Sequence, residues 1–281
     1  MDKQMMIATT LDELRSARLL LDGPVGFVPT MGYLHEGHIS LARRAREECD
    51  RVVASIFVNP TQFGPNEDLS NYPRDLERDL RLLEAAGVDL VWTPTPEIMY
   101  PPGFATWVEV EGLTKPLEGA ARPGYFRGVT TIVAKLFNAV QPHKAYFGQK
   151  DAQQAAIIRK MTHELDFPVE VIICPTVREA DGLAMSSRNS YLSPEERSAA
   201  TILFRALSAA RFAYERGERG ADKLRAVMAE TLASEPRAQM QYISVADYDT
   251  LEELQTVTGK TLLSMAVYLG KTRLIDNFVL G

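Results

Sequence analysis

The sequence predicts an α/β protein in two domains, a parallel sheet covered by helices followed by a smaller α+β domain. Three observations carry this. Apolar, β-branched runs alternate with amphipathic helical segments through residues 1–177. The runs Arg51 to Val58 and Val169 to Cys174 are almost wholly apolar, as strands buried on both faces are. Residues 178–281 change character, with two helical segments followed by three strand-like ones.

Length and composition bound the function. A chain of 281 residues fits two domains better than one. Hydrophobic residues make up 46% and charged residues 24%, with no apolar run of membrane-span length and no leader pattern at Met1. A cytoplasmic protein with no membrane partner is expected. The net charge of −6, without a long Lys/Arg cluster, argues against nucleic acid, so an anionic substrate must be met by local groups. Cys49 and Cys174 support neither a disulfide framework nor a thiolate metal site, and both read as structural thiols.

Met5 to Ala8 is a short apolar entry, and Thr10 to Glu13 is a capping box opening a helix to about Leu21, which Gly23-Pro24 ends. A strand from Val25 to Val28 then breaks into Pro29-Thr30-Met31-Gly32-Tyr33-Leu34-His35-Glu36-Gly37-His38, and the periodic Ile39, Leu41, Ala42 and Ala45 carry a helix to about Cys49. His35 and His38 stand at i and i+3, with His38 in the first turn. Unpaired N–H groups and the dipole attract anions there, and glycine lets a phosphate approach the backbone. A bare H-x-x-H is often no more than the start of a surface helix. Strand, glycine turn, paired histidines and helix in that order match the first crossover of a nucleotide-binding sheet.

The strand Arg51 to Val58 delivers Asn59-Pro60-Thr61-Gln62-Phe63-Gly64 to the carboxyl edge, where ligands of open α/β sheets lie. Asn59 and Gln62 read equally as ligands for hydroxyls or a carboxylate and as turn residues satisfying backbone. A polar loop from Asn66 to Arg74, a helix from Asp75 to Ala86, a strand from Val88 to Trp92 and a Pro-rich loop from Pro94 to Pro102 follow. Glu118 to Gly128 reads as a mobile lid whose Arg122 and Arg127 either close over phosphates or stay solvated. A helix from Val129 to about Val140 and a strand from Ala145 to Phe147 lead to a second candidate phosphate site, Gly148-Gln149-Lys150-Asp151, with Gln154 one turn on. Lys150 near a helix N-terminus opposes the dipole and so suggests an anion, whereas Asp151 reads as a ribose ligand or a simple N-cap. Beyond Thr176 to Gly182 and Met185 to Asn189, a capping box at Ser193 to Glu196 opens a helix to about Arg216. A second runs from Ala221 to Ala233, and strands are expected at Gln241 to Val245, Leu262 to Leu269 and Arg273 to Val279. His143 and His163 read as surface residues.

Five motifs stand in order between Pro29 and Asn189: Pro29 to His38, Phe57 to Phe63, Arg122-Pro123-Gly124 with Phe126-Arg127-Gly128, Phe147 to Asp151 with Gln153-Gln154, and Met185 to Asn189. They resemble the pantoate–β-alanine ligase family of the H-x-G-H nucleotidyltransferases. The resemblance implies a Rossmann-like parallel-sheet domain with the α+β domain acting as lid, and an ATP-dependent reaction through pantoyl adenylate. It implies ATP contacts from Met31, Gly32, Tyr33, Leu34, His35, Glu36, Gly37 and His38, from Gly148, Gln149, Lys150 and Asp151, and from Val177, Met185, Ser186, Ser187 and Arg188. His38, His35, Lys150 and Arg188 take the catalytic roles, with His38 the proton donor. Gln62 and Gln154 hold pantoate, and Asn59 assists beside the β-alanine site. Mg²⁺ accompanies ATP, with no protein ligand named, and the family is cytoplasmic and homodimeric. Tyr125 stands where the family commonly has histidine, and Ala152 where an aromatic residue is common.

Three other readings fit parts of the chain. A nucleotidyltransferase acting on a phosphorylated alcohol has no use for paired glutamines. A class I aminoacyl-tRNA synthetase would carry an anticodon-binding extension and a basic face. A non-catalytic adenylate sensor would tend to lose His38, Lys150 or Arg188, all present here.

Overall fold

A computed structural model describes residues 4–64 and 67–281; Met1 and Asn66, on which the leader and loop expectations bear, lie outside them. The chain divides into two compact units, Met1–Gly148 with Gln154–Pro175, and Gln149–Gln153 with Thr176–Gly281. The second unit thus takes in the five residues after Gly148.

In the first unit six parallel strands run in the order β1-β4-β3-β2-β5-β6. They are β1 (Met6–Ala8), β2 (Val25–Thr30), β3 (Arg51–Ile56), β4 (Leu90–Trp92), β5 (Lys144–Gly148) and β6 (Glu170–Cys174). The order reverses between β2 and β5, so the carboxyl end of β2 lies at the topological switch point. Helix α1 (Leu11–Arg18) starts on the Thr10–Glu13 capping box. Helix α2 (Glu36–Glu48) packs Ile39, Leu41, Ala42 and Ala45 into a core with Val28, Val52 and Val91. Helix α3 (Leu76–Ala85) adds Leu83 to the same core.

Three expectations change in this unit. The Pro-rich loop contains a short helix, α4 (Pro96–Met99). Glu118 to Gly128 is partly helical: α5 (Glu118–Ala121) is followed by α6 (Tyr125–Val140), which begins four residues earlier than its apolar run because Gly124, at φ +84°, turns the chain and Phe126 is already buried. Strand β6 is an edge strand, paired with β5 and only half-buried along most of its length. Its apolar sequence over-stated its burial.

In the second unit β7 (Ala238–Asp247), β8 (Thr261–Leu269) and β9 (Thr272–Leu280) form an antiparallel sheet. After helix α7 (Ala152–Glu164), which spans the boundary, the unit contributes α8 (Pro194–Ala199), α9 (Ile202–Glu215) and α10 (Ala221–Ala233). The single helix expected from Ser193 to Arg216 is broken at Ala200–Thr201, where the Thr201 hydroxyl donates to the Ser198 carbonyl in competition with the helical ladder. Leu203, Leu207, Leu224, Met228, Leu263 and Met265 form this unit's core. Among the described residues, no helix is long and apolar enough to cross a membrane.

Candidate active site

The turn after β2 is built on its backbone. Thr30 Oγ1 accepts from Gly32 N–H at 3.2 Å and donates to the Ser55 carbonyl at 2.8 Å. Gly32 has φ +84°, and a Cβ there would lie 3.1 Å from both Asp79 Oδ2 and Ile56 Cγ2. Asp79, on α3, takes the next two N–H groups, Tyr33 at 2.6 Å and Leu34 at 2.8 Å. Its side chain is 1% exposed, and burial pushes its carboxyl up while the two N–H donors and Arg78 oppose the rise. Sequence reading passed over Asp79 within the charged helix expected from Asp75 to Ala86. The signal was an acid one turn before the core-facing Leu83, on the apolar face.

The histidines then cap α2 reciprocally. His35 is the N-cap, its Nδ1 accepting from Gly37 N–H at 3.1 Å, and His38 Nδ1 accepts from His35 N–H at 3.3 Å. The ring centroids are 4.1 Å apart. An Nδ1 that accepts a backbone N–H carries no proton, so both rings are neutral with their hydrogen on Nε2. The helix dipole favours the same state, since it opposes an imidazolium at the N-terminus. His38 therefore presents its Nε2–H as a hydrogen-bond donor in this arrangement.

At the end of β3, Asn59 and Gln62 meet directly in a 3-10 turn, Pro60–Gln62. Asn59 Oδ1 accepts from the Thr61 backbone N–H at 3.4 Å, the Thr61 hydroxyl at 3.0 Å and the Tyr100 hydroxyl at 2.8 Å. Its Nδ2 donates to the Gly128 carbonyl at 3.2 Å and to Gln62 Oε1 at 2.8 Å. A backbone donor on one side and a backbone acceptor on the other fix which Asn59 atom is oxygen. That in turn fixes Gln62: its oxygen faces Asn59, and its Nε2 is the group left to bond a ligand. Gly128 permits this approach, because a Cβ there would sit 2.3 Å from the Thr61 carbonyl oxygen. Asn59, expected beside β-alanine, is 1% exposed with both polar atoms bonded to protein, and one of those bonds orients Gln62.

Arg122 is largely buried and bound to protein partners. It donates to Glu67 through Nε at 2.7 Å and Nη2 at 2.6 Å, and to the Gln62 carbonyl at 3.0 Å. Burial works against its charge, yet the Glu67 bonds hold it firmly protonated. The guanidinium carbon lies 3.7 Å from the Tyr125 ring centroid, and the Tyr125 hydroxyl donates to Gln154 Oε1 at 3.1 Å. Arg127 stacks on Trp107.

Gly148 ends β5 in the first unit, and the second unit holds the other expected residues. Lys150 Nζ pairs with Asp151 at 3.1 Å, so Asp151 has a cation as partner. Asn277 on β9 donates to the carbonyls of Gln149 and Lys150 at 3.0 and 2.8 Å and accepts from Gln149 Nε2 at 3.0 Å. Met185 N–H bonds the Val177 carbonyl at 3.0 Å. Ser186 caps a 3-10 turn (Ser187–Tyr191), accepting from Arg188 N–H at 3.3 Å. Beside this segment Arg178 is held by Asp276 at 2.7 and 2.8 Å, a pair the sequence did not announce.

Mg²⁺ is implied by the ATP chemistry. Among the described residues, no group of three or more His, Cys, Asp or Glu side chains could hold a metal ion. An ion carried mainly by phosphate oxygens and water fits that donor set, and an all-protein cage does not.

Imidazole donors at the switch point and a carboxamide locked as a donor on the neighbouring strand suit a triphosphate and an oxygen-rich acid. Comparisons with known proteins agree. The family described as Pantoate-beta-alanine ligase matches residues 6–279. A pantothenate synthetase of Roseiflexus sp. (strain RS-1) is 62% identical over 98% of this chain and 99% of its own. The crystal structure of pantothenate synthetase from Thermus thermophilus matches with a TM-score of 0.94 at 52% identity, covering 98% of this chain and 99% of that one. That of the pantoate-beta-alanine ligase from Francisella tularensis, complexed with beta-gamma ATP and beta-alanine, matches at 0.80 and 36% identity, covering 98% of each. With motifs, fold and whole-length identity in agreement, the chain belongs to the pantoate–β-alanine ligase family.

Proposed function

We propose that this enzyme condenses (R)-pantoate with β-alanine at the expense of ATP, in two steps through pantoyl adenylate. The single observation that carries the reading is the Gln62 carboxamide, fixed by Asn59 so that its Nε2 meets an oxygen acceptor. Full-length membership of the family supports it.

In the first step a pantoate carboxylate oxygen attacks the α-phosphorus, the bond from that phosphorus to the bridging oxygen breaks, and pyrophosphate leaves with the electron pair. Negative charge builds on phosphate oxygens, where His35 and His38 donate through Nε2 without moving, because their rings are already held. The Met31–His38 turn supplies backbone N–H groups. Lys150, Ser186, Ser187 and Arg188 of the second unit are assigned to the triphosphate, Gly148 of the first unit with Gln149 to Asp151 of the second to the phosphates and ribose, and Val177 and Met185 to the adenine. Bound to the triphosphate, Mg²⁺ would neutralise part of the phosphate charge. Gln62 and Gln154 donate to pantoate oxygens and hold the carboxylate in line. In the second step the β-alanine amine adds to the acyl carbon, the acyl–oxygen bond breaks, AMP leaves, and the amine sheds a proton. Family resemblance adds a cytoplasmic setting and a homodimer.

The test is release of pyrophosphate and AMP by the purified protein with Mg-ATP and pantoate, with and without β-alanine. Pantoate-dependent pyrophosphate release that becomes multiple-turnover AMP formation only when β-alanine is added is expected. ATP binding without pantoate-dependent release would instead indicate a nucleotide sensor or another acceptor.

A further inference from the structure

Gln62 and Gln154 are held by the same end. Gln62 Oε1 accepts from Asn59, whose own polarity is fixed by backbone; Gln154 Oε1 accepts from the Tyr125 hydroxyl at 3.1 Å, although a phenol could also accept from a carboxamide turned the other way. What decides the direction lies on the other side of the ring. The Arg122 guanidinium sits 3.7 Å from the Tyr125 centroid and is itself anchored by two bonds to Glu67. A cation over the ring draws electron density from it, which strengthens the O–H as a donor and weakens its oxygen as an acceptor. Arg122 also bonds the Gln62 carbonyl, so one guanidinium braces the segments bearing both glutamines.

We propose that Tyr125 is a positioning residue that fixes the polarity of the Gln154 carboxamide, so that Gln154 meets pantoate as a hydrogen-bond donor. This rests on the reading that Gln154 binds pantoate. The Glu67–Arg122–Tyr125 stack does for Gln154 what Asn59 does for Gln62. The pair then presents two N–H donor groups, a pattern that selects an acid with oxygen acceptors over an amine or an amide-bearing analogue. A carboxamide free to turn would offer oxygen to oxygen for part of the time.

Steady-state kinetics of Tyr125→Phe, Tyr125→His, Gln154→Ala and the double variant test this. Tyr125→Phe, which removes one hydroxyl, should raise the pantoate KM about three- to tenfold, with kcat within about twofold and the ATP KM unchanged. Tyr125→His, whose ring can donate, should recover most of that loss. In the Gln154→Ala background the Phe change should have no further effect. An unchanged pantoate KM in Tyr125→Phe, equal losses in the Phe and His variants, or full multiplication of the two effects would overturn the proposal. A Gln154→Ala enzyme with a normal pantoate KM would instead remove the underlying assignment of Gln154, and the proposal with it.

Discussion

The histidines and Gln62 of the first unit and Lys150 and Arg178 of the second are prepared in opposite ways. In the first, His35, His38 and Gln62 are uncharged in this arrangement, and each has its acceptor atom tied to a protein donor, so that what it can offer a ligand is an N–H. In the second, Lys150 is paired with Asp151 and Arg178 with Asp276, so the side chains there are charged. A neutral donor held at its far end has a fixed direction and loses little entropy on binding. A lysine in an ion pair has charge but must exchange one partner for another. We assign orientation to the first unit and charge to the second.

The sharpest way to break this contrast is His38→Ala. It should lower kcat by about a hundredfold or more with the fold intact, since a fixed donor to the transition state is lost. Near-normal kcat would remove His38 from the chemistry.

Next in size is Asp79→Ala, which leaves the Tyr33 and Leu34 N–H groups without their carboxylate. A stability loss of about 1–3 kcal/mol by denaturant unfolding and a raised ATP KM are expected. Its pH dependence has a definite sign. Burial holds the folded carboxyl above its ordinary value, so Asp79 favours the folded state most below the usual aspartate range, and that contribution declines as pH rises through the folded value. Relative to Asp79→Asn, the wild type should therefore gain stability toward acid. An advantage growing toward neutral pH would contradict the assignment.

Asn59→Asp comes third. It puts an oxygen against the Gly128 carbonyl and Gln62 Oε1, which should turn the Gln62 amide and raise the pantoate KM about tenfold, leaving the ATP KM alone. Equal changes in both constants would indicate general damage. The smallest effect is expected in the second unit. Asp151→Asn breaks a half-exposed ion pair and should change stability by less than about 1 kcal/mol. A larger loss would mean that this pair is a fixed support like those of the first unit.

Periodicity and capping signals made most of the fold legible: the alternating strands, the Thr10 and Ser193 caps and the three C-terminal strands all stand where the patterns put them, to within a few residues. The half-buried edge strand β6 was not legible, because pairing on one side is decided by strand order and not by composition. Of the site, the histidine helix start could be read because its residues are contiguous. Asp79, 46 residues from Tyr33, and Glu67, 55 from Arg122, could not, because each meets its partner only after folding. The same distance hid the fate of Arg122, which looked like a free cation until Glu67 was beside it.

The most direct measurement of the central claim is the tautomeric state of His35 and His38, from long-range ¹H–¹⁵N spectra of the imidazoles at neutral pH in the ligand-free protein. Hydrogen on Nε2 and a bare Nδ1 in both rings is the expected result. Hydrogen on Nδ1, or both nitrogens protonated, would contradict the account of the first unit as a set of neutral donors fixed by its backbone.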